Sequence, residues 1–174
     1  EGISTYDEFG KTPLIYALTI PAEEEPAEKD DIDSEVISLL LKNGADPNAV
    51  SSEEPSALLL AVEWHQPEEI LSALLSAGAD INHQDANGRT ALHYAYDDEE
   101  MAKFLIKNGV DQNIKNKEGQ TALHMACEWA VLPNIKLLLQ HGADINCIDN
   151  DGQNSLFHAL EARQEKQLEI MSFL

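Results

Sequence analysis

Gly119-Gln120-Thr121-Ala122-Leu123-His124-Met125-Ala126, followed by Gly142-Ala143-Asp144-Ile145-Asn146, decides how this chain folds, because both blocks recur. The first, Gly-x-Thr-x-Leu-x-x-Ala, also runs at 10–17 and 88–95, with weakened copies at 54–61 and 152–159. The second, Gly-Ala-Asp-x-Asn, also occurs at 44–48 and 78–82, and as Gly-Val-Asp-Gln-Asn at 109–113. Its successive starts are 34, 31 and 33 residues apart. Two motifs in one order and at one approximate period mark a repeat architecture. Between them lie two apolar stretches at helical spacing, Leu123, Met125, Ala126 and then Ile135, Leu137, Leu138, Leu139. Thr121 is placed to cap the first helix. Pro67 and Pro133 fall where a second helix should begin, and Gly44, Gly78, Gly109 and Gly142 where it should stop. Asp85-x-x-Gly88 and Asn116-x-x-Gly119 supply the turn into the next unit. Each unit reads as helix, turn, helix, hairpin, and only stacking can bury its apolar face.

With these residues in view, the chain resembles the ankyrin repeat family. Thr12-Pro13-Leu14, Thr90-Ala91-Leu92-His93 and Thr121-Ala122-Leu123-His124 match that family's Thr-Pro-Leu-His signature, and the likeness covers nearly the whole chain. The resemblance implies an all-α, ankyrin-repeat solenoid of stacked helix-turn-helix units with connecting β-hairpin loops, elongated and curved. The expected division is a lead-in at 1–6 and repeats at 7–48, 49–82, 83–113, 114–146 and 147–174. The third is shortened and the fifth incomplete, so further repeats or another domain are expected downstream.

Departures from the period locate the irregular parts. From the Thr-equivalent to the glycine stop, the fourth repeat takes 142 − 121 = 21 steps and the third 109 − 90 = 19, which predicts a clipped inter-helix loop. The first takes 44 − 12 = 32, an insertion lying within 21–33 that carries seven acids and one lysine. Two prolines and a single large apolar residue, Ile32, predict a mobile, solvated loop there.

Composition narrows the functions. In 174 residues, 32 acidic and 11 basic side chains leave a net charge of −21, which repels phosphate and disfavours nucleic acid and anionic membranes. The longest apolar run, Ala57–Val62, is too short to span a bilayer. Two cysteines, Cys127 and Cys147, fit a reducing compartment, cytoplasmic or nuclear. His93 and His124 fall on the signature position, where the resemblance implies a structural hydrogen bond. His65, His83, His141 and His158 show no ligand spacing, and no nucleophile, phosphate-loop or zinc motif occurs. No enzyme activity, metal or cofactor is expected, and a monomer is.

The resemblance implies protein binding on a concave face made of hairpin tips and the exposed side of the first helices. By phase, that face collects nine acids (Glu8, Glu53, Glu63, Asp97, Asp98, Glu118, Glu128, Asp151, Glu161) and three bases (Lys11, Arg89, Lys117). A protein or peptide partner with a basic or mixed-charge segment is therefore expected, steered by charge. Trp64 and Trp129 share one phase, and Trp is enriched among binding hot spots. The candidate partner-binding residues are Glu63, Trp64, Arg89, Asp97, Asp98, Glu118, Glu128 and Trp129. A second reading makes the repeats the targeting module of a larger protein, such as a host-directed bacterial or viral effector acting in host cytosol.

Overall fold

The structure, a computed structural model, describes residues 6–7, 10–19, 29–50 and 55–161, with 29–33 and 161 described by their backbone alone. Among these residues nine α-helices follow one another: α1 (Pro13–Thr19), α2 (Lys29–Lys42), α3 (Ala57–Glu63), α4 (Glu68–Ser76), α5 (Ala91–Tyr94), α6 (Glu99–Lys107), α7 (Ala122–Glu128), α8 (Leu132–Gln140) and α9 (Ser155–Glu161). No β-strand occurs among the described residues, and one isolated bridge pairs Ile148 with Asn154. The chain divides into two compact units, Glu1–Ala86 and Asn87–Leu174.

In the first unit α1 packs on α2 and α3, and α4 closes against α2 and α3. Its core is Leu14, Ile37, Leu58, Leu59, Leu71 and Leu74, all almost fully buried. Each such side chain stabilises the fold by about 1.5–3 kcal/mol relative to exposure. In the second unit α7 is central, packing on α5, α8 and α9, while α6 packs on α5 and α8. Leu92, Leu105, Leu123, Ile135 and Leu138 fill the space between them.

The polar motifs hold successive repeats together. In every Asp-x-Asn block the aspartate accepts the asparagine N–H: Asp46 from Asn48 (2.9 Å), Asp80 from Asn82 (3.0 Å), Asp111 from Asn113 (2.9 Å), Asp144 from Asn146 (2.9 Å). The asparagine side chain then reaches the next block. Asn48 Oδ1 accepts the Asp80 N–H at 2.8 Å, and Asn113 Oδ1 accepts the Asp144 N–H at 2.9 Å. The signature histidines act likewise. His93 Nδ1 accepts the Thr90 N–H (3.1 Å) and His124 Nδ1 the Thr121 N–H (3.1 Å). Each ring is therefore a neutral imidazole with its proton on Nε2. His93 Nε2 lies 3.1 Å from the Gln120 carbonyl and His124 Nε2 3.3 Å from that of Gln153, so each donates to the following repeat.

Two expectations change. The third repeat is short in its first helix, not in its loop. Helix α5 spans only Ala91–Tyr94, yet residues 95–98 separate it from α6, against 129–131 between α7 and α8. Tyr96 accordingly lies in the turn after α5. Residues 29–33 of the expected loop are the start of α2, which runs 14 residues. Acidic sequence is no obstacle to a helix start, where negative charge complements the helix dipole. Residues 21–28 of the insertion lie outside the described residues.

Candidate functional site

Two neighbouring turns in the second unit form the floor of a cleft. Asn116 Oδ1 accepts the Gln120 N–H at 2.8 Å, closing the turn that carries Glu118. Asp149 Oδ1 accepts the N–H groups of Asp151 (3.0 Å) and Gln153 (2.8 Å), closing the equivalent turn one repeat later. Asn150 joins them, its N–H donating to the Glu118 carbonyl (2.9 Å) and its side-chain amide to that of Lys117 (2.7 Å). Gly119 is required at this contact. Its φ is +80°, and a Cβ would sit 2.7 Å from the Asn150 nitrogen. Helix α7 contributes Glu128 and α9 contributes His158. With Gln120 and Gln153 these residues line a cleft of about 480 Å³ that holds the carboxylates of Glu118, Glu128, Asp149 and Asp151.

Inside the cleft His158 Nε2 meets Asp149 Oδ2 at 2.8 Å, both side chains nearly buried. Burial alone would raise the Asp149 carboxyl, but the Gln153 N–H, the His158 ring and the Asp151 N–H outweigh it and hold the carboxyl below its ordinary value. His158 also meets the His124 ring edge to face, centroids 5.2 Å apart. Burial first, and then the facing His158, lower the His124 pKa.

An aromatic pair lies beside Glu128. Trp129 follows α7 directly and is 55% exposed, while its ring meets Tyr96 at 5.9 Å with a 36° tilt. Asn134, in the first turn of α8 and 1% exposed, donates from Nδ2 to the carbonyls of Ala95 (2.9 Å) and Tyr96 (2.8 Å). The turn bearing Tyr96 is thus fixed from the next repeat. Partial burial raises the Tyr96 pKa, and the charges of Asp97 and Glu128 raise it further.

The structure brings only part of the expected set together. Glu118 and Glu128 share the cleft; Trp129 is one ring of the aromatic pair, and Asp97 follows the other, Tyr96, in the chain. Asp98 is half-buried and caps α6, its Oδ1 accepting the Met101 N–H at 3.0 Å. Arg89 is half-buried and does not line the cleft. Glu63 and Trp64 end α3 in the first unit, both exposed. Glu8 and Glu53 lie outside the described residues. Sequence reasoning missed Asp149, His158 and Asn134. Phase offers a signal for His158, which stands where repeats two to four carry Leu60, Tyr94 and Met125.

Known proteins bear on this arrangement. The family model for ankyrin repeats in three copies matches residues 27–116 and 96–174, most of the chain. The chain belongs to the ankyrin repeat family. One relative is the neurogenic locus Notch protein of Drosophila melanogaster, 36% identical over 90 residues, which are 49% of this chain and 3% of that protein. Ankyrin repeats are generally protein–protein interaction modules, and the family is generally non-enzymatic. No helix among the described residues is long and apolar enough to cross a membrane. In this ankyrin array the acidic cleft is formed by the turns at 116–120 and 149–153 together with α7 and α9.

Proposed function

We propose that this chain is a non-catalytic binding module whose acidic cleft receives a basic or mixed-charge segment of a partner protein. The observation that carries the reading is four carboxylates, Glu118, Glu128, Asp149 and Asp151, gathered in one cleft beside exposed Trp129. A cleft of one sign of charge in low-dielectric walls concentrates ligands of the opposite sign. Asp149 is already engaged with His158, which leaves Glu118, Glu128 and Asp151 at the mouth to meet the partner. A cytoplasmic or nuclear location suits the reading, since neither Cys127 nor Cys147 forms a disulfide.

An array of basic, neutral and acidic peptides, probed at low and high salt, tests it. Basic peptides should be retained selectively at low salt and released at high salt. The double substitution Glu118→Lys, Glu128→Lys should abolish retention while leaving the unfolding midpoint near that of the parent. Equal retention of acidic and basic peptides would overturn the reading.

A further inference from the structure

We infer that the Tyr96–Trp129 pair, with Asp97 and Glu128 at its edge, is the seat of an arginine side chain carried by the basic segment. This rests on the acidic-cleft reading and specifies its ligand. Trp129 keeps more than half of its surface in water although Tyr96 packs against it. The backbone beneath the pair is also preformed. Trp129 is set by the end of α7, and the Tyr96 turn is held by two hydrogen bonds from buried Asn134. Little backbone ordering is left to oppose binding.

The rim decides what covers the rings. Asp97 and Glu128 are both exposed and directly flank Tyr96 and Trp129 in the chain. Their charges reach the Tyr96 hydroxyl, whose ionisation they oppose. An apolar occupant would gain nothing from the carboxylates, whereas a cation is attracted by rings and rim together. A planar guanidinium stacks on an indole face while offering paired donors to a carboxylate, which an ammonium cannot do. Glu128 joins both features, lining the cleft and directly preceding Trp129 in the chain. A segment whose arginine lies on Trp129 therefore continues directly into the cleft.

The test uses the whole chain, labelled with ¹⁵N, and capped pentapeptides carrying one arginine, lysine or citrulline among glycines and serines. At low salt the arginine peptide should shift the Trp129 indole N–H to saturation, the lysine peptide should bind more weakly, and citrulline should not bind. Trp129→Leu should weaken the arginine peptide by about 2- to 30-fold, the range of a cation–π contact, whereas Trp129→Phe retains a ring face and should lose less. An unchanged urea midpoint separates these losses from misfolding. Suppose the arginine peptide shifts the Glu118 and Asp151 amides but not the Trp129 indole, with affinity unaltered in Trp129→Leu. The aromatic seat would then be overturned, while the acidic cleft stands. No binding of any basic peptide would overturn both.

Discussion

At the scale of single residues, the most consequential side chain is one that carries no charge. Asn134 is spent on the carbonyls of Ala95 and Tyr96. Replacing it with alanine strips the part-buried Tyr96 carbonyl of this donor and leaves the Ala95 carbonyl only the Asp98 N–H at 3.3 Å, so Asn134→Ala should cost about 1–3 kcal/mol, measured by urea unfolding. Asn134→Asp should cost more, because a carboxylate would face two carbonyl oxygens. Two titrating groups give the second unit an acid-sensitive stability. The His124 pKa in the fold lies below the ordinary 6.5, so on acidification the unfolded chain takes up a proton first. Stability should fall from about pH 6.5 downward until the folded ring itself titrates. Asp149 acts lower: its folded pKa lies below 3.8, so its contribution is complete above 3.8 and disappears as pH falls through the folded value. Urea midpoints followed from neutral to acid pH should show both limbs, and His124→Gln should flatten the upper one alone.

At the scale of helices and turns, most of the architecture was legible because helix signals are local. Thr90, Thr121 and the glycine stops sit within a residue or two of the boundaries they predict. The exceptions are non-local. The turn after the short α5 is gripped from α8 through Asn134, a contact spanning 38 residues that no periodicity reveals. Asp98 illustrates the converse. Phase alone placed it on the partner surface, while its carboxylate is occupied by the first turn of α6. Asp98→Ala should therefore destabilise the protein by about 0.5–2 kcal/mol through loss of the cap. Asp98→Asn, which still accepts the Met101 N–H, should restore stability and leave basic-peptide affinity near the parent value.

At the scale of the whole molecule, charge pulls two properties in opposite directions. A net charge of −21 disfavours the compact state through self-repulsion, and about 0.1 M salt shortens the screening length to about 10 Å. Added sodium chloride should raise the thermal midpoint and at the same time weaken binding of a basic peptide. The acidic character of the site could be read from composition and phase, but the pairing of Asp149 with His158 needed the fold, since it turns one cleft acid inward. The histidine links carry a further consequence within the second unit. His93 donates forward to Gln120 and His124 forward to Gln153, whereas the equivalent place in the next repeat holds Phe157, half exposed. The histidine bonds thus have a grain, like wood: each signature ring of this unit reaches forward, while Asn134 and Asn150 reach back. Loss of a signature ring should therefore be felt in the turn that follows it. His93→Gln should speed amide exchange in the 116–120 turn while sparing the amides of α6.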